Sequence, residues 1–299
     1  CNLEIAKSNR QPLAHITRAM KEFLLITTIL FYFNLYSQNI KNLYPSYSSS
    51  LDFSREAAEK YEENQKKCND FLSTIENISG DSLTQEQLDI LLDCEESSIG
   101  YWSIGGMGCS WYCGGGPDSI SASSYLKGQG NNNYEPSNAH DLDYKTAWVE
   151  GASGYGIGEH LIYHFTAGSP RITEINIVNG YIKSESSWRN NSRVKKFKVY
   201  IDDKPYAIFN LKDERSCQTF TIPAIGTDRD EKGNLANHND WTLKFEILEV
   251  YKGEKYSDVV ISEIYFDGID VHCFAKGTKI TLADNSEINI ENLTIGDSI

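Results

Sequence analysis

The segment NAHDLDYKTAWVEG, residues 138–151, places several oxygen donors within a few residues of one another. Asp141, Asp143 and Thr146 offer carboxylate, hydroxyl and backbone carbonyl oxygens from a single loop. A hard cation such as Ca²⁺ takes roughly six to eight oxygen ligands, so this spacing predicts a structural calcium site. Short aspartate spacing is also common in turns, and a metal-free Asx-rich turn is the alternative interpretation. A lone histidine is weak support for a transition-metal site, so we assign His140 to hydrogen bonding.

The loop NGYIKSESSWRNNSR, residues 179–193, combines aromatic rings with amide and charged groups between two strand-like runs. Sugar recognition uses an aromatic plate against the apolar face of a pyranose, flanked by polar groups that pair with its hydroxyls. Loops of a sandwich commonly carry such sites. The loop therefore predicts a glycan site formed by Asn179, Tyr181, Lys183, Trp188, Asn190 and Arg193. The alternative is that these side chains brace the fold.

Cys273 lies near the start of the segment HCFAKGTKITLADNSEINIENLTIGDSI, residues 272–299. Two short strand-like runs are expected around the turn residues Asp284 and Asn285. Because two strands alone cannot bury an apolar face, we expect the sequence to be a fragment of a longer product. A cysteine is a nucleophile where neighbouring groups favour the thiolate. The alternatives are a buried strand cysteine and a disulfide partner of Cys217.

Other catalytic signatures are missing from the sequence. It contains no glycine-rich phosphate cradle, no Ser-His-Asp grouping in a nucleophile elbow and no His-Glu-x-x-His motif. Gly154, Gly156 and Gly158 alternate ahead of a strand, whereas a nucleotide fingerprint opens a helix. Carboxylates on hydrophilic loops, such as Glu185, are usually only solvated. We therefore predict no hydrolase site in the β region.

The composition is that of an acidic globular protein. Its 28 Lys and Arg residues against 42 Asp and Glu residues give a formal net charge of −14. A polyphosphate partner would be repelled by this charge, so we predict no nucleic-acid partner. Aromatic residues make up 12% of the chain, enough to build a hydrophobic core.

The sequence near the amino end is typical of an export signal. Met20 and Lys21 precede an apolar run of about a dozen residues, and Ser37 is a plausible cleavage point. A buried helix or a membrane anchor is the alternative, but the run is shorter than the roughly 20 residues that a membrane span needs. We therefore predict a signal peptide at 20–37, with 1–19 as upstream read-through or artefact. The mature protein is expected to be secreted or on a bacterial cell surface, without a stable membrane span.

Four cysteines lie near the start of the folded region, and export would allow them to form disulfides. We predict two bridges among them, and three pairings stay open. The cysteines are Cys68, Cys94, Cys109 and Cys113. A zinc site is less well supported, because no second ligand pair lies at the required spacing.

Helical periodicity runs from Leu51 to Glu96. Apolar residues recur at helix spacing, Gly80 interrupts them, and Thr84 to Gln87 form a capping box that opens a second helix. The pattern predicts a helical arm within residues 38–99.

Beyond this arm, the spacing of apolar residues changes from the helical period to the period of two that is typical of strands. Seven strand-like runs are separated by Gly, Pro, Asn and Asp, and they leave little room for helix. The pattern predicts a β-sandwich over residues 100–271. The runs are EHLIYHF, RITEINIV, VKKFKVYID, YAIFNL, QTFTIP, WTLKFEI and DVVISEIYF. Trp148 and Trp241 begin strands and are assigned to the core.

Within this region the motif NAHDxDxxTxW resembles the calcium-stabilised turn of discoidin-like, galactose-binding jelly rolls, the fold of coagulation-factor type C domains. Together with CSWYCGG, GYGIGEHLIYHF, NGYIKS and WRNNSRVKKFKVYI, it is similar to the glycan-binding domain found beside NAD glycohydrolase in streptococcal toxin. The resemblance implies a mainly β, discoidin-like jelly-roll sandwich that binds a glycan or a cell-surface polysaccharide. It also implies that Glu263 completes the calcium shell.

The segment CFAKGTKI, followed by IENL and a Gly-Asp pair, resembles the first block of the Hint fold of inteins and hedgehog autoprocessing domains. The resemblance implies that residues 272–299 begin a truncated Hint domain. In that family the leading cysteine, here Cys273, attacks the carbonyl of the preceding residue, His272, and forms a thioester. Because the family's later blocks are absent, we expect this fragment to be inert. A complete domain would cleave or splice, with an effector domain expected downstream.

Overall fold

The computed structural model describes residues 40–76, 78, 82–97, 100–105, 111–230, 232–270, 277–284, 286–293 and 298. The predicted signal peptide, Cys109, His272 and Cys273 lie outside these residues. The chain divides into two compact units, residues 1–41 and 42–299, and the fold below is essentially that of the second. Within the described part of the chain, no helix is long and apolar enough to span a membrane.

Two antiparallel sheets form a β-sandwich. One sheet has the strand order β1-β8-β7-β10-β5-β3 and the other β2-β9-β6-β11-β4, with the bounds that follow. The strands are β1 (Lys41–Leu43), β2 (Tyr47–Ser50), β3 (Ser119–Ala122), β4 (Trp148–Val149), β5 (His160–Phe165), β6 (Ile172–Asn179), β7 (Arg193–Ile201), β8 (Lys204–Asn210), β9 (Ser216–Ile225), β10 (Trp241–Tyr251) and β11 (Val260–Gly268).

The core lies between the sheets, where strands such as β5 and β10 turn alternate residues inward. In β10, Trp241, Leu243, Phe245 and Ile247 are buried while the residues between them are half-buried. The seven predicted strand runs are confirmed as β5 to β11. Trp148 is also buried, with 0% exposure, so both tryptophans assigned to the core lie there.

Three short strands, β1, β2 and β3, were missed by periodicity. β1 and β2 lie only a few residues apart in sequence, yet β1 borders β8 in one sheet and β2 pairs with β9 in the other. Tyr47 lies opposite Thr219 and Ser50 opposite Ser216. The segment is serine-rich and too short to show an alternating pattern, so its strands depend on the edges that the longer strands already offer.

The predicted helical arm is present as α1 (Arg55–Ile75) and α2 (Gln85–Ser97). The side chain of Ser54 caps α1 by accepting from the Ala57 N–H at 3.1 Å. The capping box is confirmed, because the Gln87 N–H donates to Thr84 Oγ1 and the Thr84 N–H donates to Gln87 Oε1.

A disulfide joins the two helices of the arm. Cys68 and Cys94 are bonded, which confirms one of the two predicted bridges. Cys113 lies in the 3-10 turn Trp111–Gly114. Its neighbour Cys109 lies outside the described residues, so the second bridge stays a prediction.

The C-terminal strand pair is also present. β12 (Lys279–Thr281) and β13 (Glu287–Asn289) form an antiparallel hairpin, with Ile280 opposite Ile288. A 3-10 turn, Ile290–Asn292, follows it.

Candidate functional site

The loop that carries three of the four predicted calcium ligands lies against the fourth, Glu263 on β11. Thr146 Oγ1 donates to Asp141 Oδ2 at 2.7 Å, and the Asp143 N–H donates to Asp141 Oδ1 at 3.0 Å. The same N–H lies 3.0 Å from Oε1 of Glu263, which is 120 residues away in sequence on β11. The loop and the strand therefore converge on one small volume lined by oxygen atoms.

Glu263 is the unusual member of this group. Its side chain is fully buried, and Oε2 has no hydrogen-bond partner among the described residues. Burial and the neighbouring Asp141 carboxyl raise the pKa of Glu263 well above its usual value. A buried carboxylate oxygen without a donor costs free energy, and a cation would remove that cost.

The side chains that meet at this site offer oxygen atoms, the donor type that calcium prefers, but they do not form a complete shell by themselves. Among the described residues, no group of three or more His, Cys, Asp and Glu side chains is placed to hold a metal ion. Asp141, Glu263 and the Thr146 hydroxyl are hard oxygen donors, and backbone carbonyls would have to supply the remaining ligands. The Asp143 carboxylate is turned toward its own loop, where Oδ1 accepts from the Lys145 N–H at 2.9 Å.

His140 has the hydrogen-bonding role predicted for it. Its Nδ1 lies 2.7 Å from the carbonyl oxygen of Ile264, so the ring donates at this position. Burial lowers the pKa of His140 and favours the neutral ring. The bond ties the loop to β11 beside the oxygen cluster.

Two of the six predicted glycan ligands, Asn179 and Arg193, are buried, and their polar groups are bonded within the fold. Asn179 is 1% exposed, and its amide bonds both the N–H and the carbonyl of Val194. Arg193 forms a two-pronged ion pair with Asp213 at 2.7 and 3.0 Å, and donates to the Trp188 carbonyl. These groups hold the loop in place.

The remaining four are divided between two sides of the loop. Trp188 lies on a short helix, α3 (Glu185–Asn190), with its Nε1 donating to the Asn179 carbonyl at 3.0 Å. Tyr181 packs on the other side against buried Ala147, Val149 and Val260, with the Lys183 ammonium 5.7 Å from its ring centroid. Asn190 is half-buried and its carbonyl accepts from two backbone N–H groups of the 252–258 loop.

A cleft of about 470 Å³ lies beside Trp188. One wall is α3, and the opposite wall comes from β2 and the β8–β9 connection. Its lining residues are Ser48, Ser50, Leu51, Glu185, Trp188, Arg189, Asp213, Glu214, Arg215 and Ser216. Hydroxyls and charges of both signs therefore surround one indole ring. None of these lining residues is a cysteine or a histidine.

Sequence reasoning found Trp188 but missed the opposite wall of the cleft. Residues 48–51 and 213–216 are far apart in sequence. Antiparallel pairing of β2 with β9 brings them together. Nothing in their local pattern indicates a binding surface.

The family model described as the NAD glycohydrolase translocation F5/8 type C domain matches residues 111–267, just over half of the chain. The chain belongs to this family. The matched part of the F5/8 type C domain contains β3 to β10 and all but the last residue of β11. It is a discoidin-like β-sandwich binding module, as the sequence predicted.

No curated protein matches the chain. Among solved structures, a mutant of the mycobacterial arabinofuranosyltransferase AftD, determined by single-particle cryo-EM, is similar with a TM-score of 0.34 and 16% identity. That similarity covers 52% of this chain and only 11% of the other chain.

Proposed function

We propose that this F5/8 type C domain is the glycan-binding module of a secreted or cell-surface protein, and that the glycan binds in the cleft between α3 and β2. The observation that carries the proposal is the Trp188 ring in the wall of a cleft lined by hydroxyl, carboxylate and guanidinium groups. An apolar plate with polar groups around it suits the two faces of a sugar.

The surroundings of Trp188 support this role because they fix the ring before a ligand arrives. The Arg193 guanidinium lies 4.3 Å from the centroid of the Trp188 ring, and Asp213 holds that guanidinium from behind. A preorganised ring costs less free energy to order on binding. In this proposal Asn179 and Arg193 position Trp188, while Arg189 and Glu185 meet the ligand.

We further propose that Ca²⁺ is a structural cofactor held by Asp141, Thr146 and Glu263, with Asp143 shaping the loop. The unpartnered Glu263 oxygen supports this role. When bound, the ion would neutralise two neighbouring carboxylates and tie the loop to β11.

Removal of the Trp188 ring tests glycan binding. We expect Trp188→Ala to lower affinity for the retained sugar at least about tenfold, since truncating a tryptophan at a binding hot spot costs about 2 kcal/mol or more. The probe is an array of neutral and acidic oligosaccharides, followed by titration calorimetry with whichever oligosaccharide is retained. Arg189→Ala, whose side chain is 56% exposed, changes the same cleft with little risk to folding.

Tyr125→Ala is the matched control, because this ring is 51% exposed and does not line the cleft. Equal sugar retention by the wild type and both cleft variants would overturn the assignment of the cleft. No retention of any sugar by the folded wild type would favour the alternative, a structural or protein-interaction domain.

A second candidate function concerns the C-terminal segment. We propose that Cys273 begins a Hint autoprocessing domain that cleaves or splices, and that its downstream product is an effector. The β12–β13 hairpin supports this candidate, because it provides the two short strands that the sequence pattern predicted for this segment.

Intact mass over time in the product of the complete gene tests this candidate. We expect a thiol-stimulated break between His272 and Cys273, because a thiol intercepts a thioester. Cys273→Ala should abolish the break. A wild-type chain that stays unbroken when folded would make Cys273 structural and would leave the glycan proposal unaffected.

A further inference from the structure

The helical arm joins the sandwich through a group of aromatic rings at its base. The aromatic junction consists of Phe53, Tyr101, Trp102 and Tyr144, all half-buried. Phe53 stacks on Trp102 with 4.4 Å between centroids and 8° between planes, and it meets Tyr144 edge-on at 5.4 Å. Tyr61, on α1, lies 5.3 Å from Tyr101. The arm and the 141–146 loop therefore share one set of rings.

Hydrogen bonds fasten both ends of the arm to this junction. The Tyr101 hydroxyl donates to the carbonyls of Asp52 and Ser54 at 3.3 Å, and Ser54 is the residue that caps α1. The segment that enters the arm and the segment that leaves it are thus linked where they meet the sandwich.

The segment that leaves the arm is bonded to the predicted calcium loop. The Ile104 N–H donates to the Leu142 carbonyl at 2.9 Å, and the Tyr144 N–H donates to the Trp102 carbonyl at 2.8 Å. Leu142 has φ = 60°, a left-handed conformation that costs a bulky residue free energy. The surrounding bonds must offset this cost, so the loop conformation depends on its neighbours.

We propose that calcium binding to the 141–146 loop and docking of the helical arm are coupled through the aromatic junction. The inference rests on the calcium site proposed above. Without a cation, Oε2 of Glu263 has no hydrogen-bond partner among the described residues, so the loop is held less firmly against β11 and can move away from it. Movement of the loop carries Leu142 and Tyr144 with it, and their bonds to residues 102–104 and the contact with Phe53 are lost.

Coupling of this kind is reciprocal. If the ion favours the docked arm, the docked arm must increase calcium affinity by the same factor. The arm would thus sense calcium although it contributes none of the predicted ligands. A fall in calcium concentration would release α1 and α2, still joined by the Cys68–Cys94 disulfide, from the sandwich.

Phe53→Ala in the full chain tests the coupling from the arm to the loop. We expect its Ca²⁺ affinity, measured by titration calorimetry, to fall about five- to tenfold, the lower part of the usual range for coupled sites. Tyr47→Ala is the matched control, because that ring is 64% exposed on a neighbouring strand outside the junction. Tyr61→Ala removes an arm contact on α1 and provides a second variant if Phe53→Ala does not fold.

Hydrogen exchange tests the coupling in the other direction. Adding Ca²⁺ to the wild type should slow amide exchange in residues 55–75, and Glu263→Gln should remove this effect. Calcium binding with wild-type affinity in the Phe53 and Tyr61 variants, with no change in arm exchange, would overturn the coupling and leave the calcium site intact. Failure of the folded wild type to bind Ca²⁺ would overturn both.

Discussion

Calcium should raise the midpoint of thermal unfolding of this protein by about 5–10 °C. At a free concentration of one hundred times Kd, an ion that binds only the folded state adds about 2.7 kcal/mol. For a domain of this size, 1 kcal/mol shifts the midpoint by about 2–4 °C. The shift is expected to reverse on adding a chelator, because the buried Glu263 carboxylate then loses its partner. Differential scanning calorimetry with and without Ca²⁺ measures it.

Glu263→Gln gives this prediction its sharpest test. Glutamine keeps the acceptor for the Asp143 N–H and replaces the unpartnered oxygen with an amide that can donate to Asp141. We therefore expect the variant to be at least as stable as the metal-free wild type and to show no response to calcium. Glu185→Gln, at a side chain that is 66% exposed, is the control and should respond like the wild type. An undiminished calcium shift in Glu263→Gln would exclude this site.

Arg193→Ala should destabilise the domain by about 2–4 kcal/mol, somewhat less than the roughly 3–5 kcal/mol that removing one partner of a fully buried ion pair costs. The Arg193 side chain is 8% exposed, but Asp213 is 36% exposed and water can partly replace the lost contact. The substitution also leaves the Trp188 and Asn191 carbonyls without their donor. Urea unfolding at equilibrium measures the change.

The neighbouring Arg189 supplies the comparison. Its side chain is 56% exposed and pairs only with Glu185 one helical turn away among the ion pairs of the described residues. Exposed pairs of this kind contribute about 0.3–0.5 kcal/mol, so Arg189→Ala should leave stability almost unchanged. If Arg193→Ala lowered stability as little as Arg189→Ala while sugar binding was lost, Arg193 would contact the ligand and would not act as a structural residue.

The sequence by itself determined the long strands of the sandwich and the caps of the arm. β5 and β10 alternate buried and half-buried residues with a period of two, so one face of each is buried, whereas β6 and β11 carry longer buried runs. The side chains of Thr84 and Gln87 each accept from the other residue's backbone N–H. Because the two residues are only three apart, the capping box can be recognised in four residues of sequence. The motif order also indicated the F5/8 type C family, which the family match confirmed.

Only the tertiary structure decided which polar residues are exposed and which are bonded within the fold. Asn179 and Arg193 are residue types that sugar sites use. Both are buried, however, and their donors are bonded to Val194 and Asp213. The second wall of the cleft arises because β2 adds to the edge of β9, a pairing without a local sequence signal. The choice of Cys94 as the partner of Cys68 likewise required α1 and α2 to be placed side by side. Local patterns report the period of an element, whereas exposure and partners depend on residues distant in sequence.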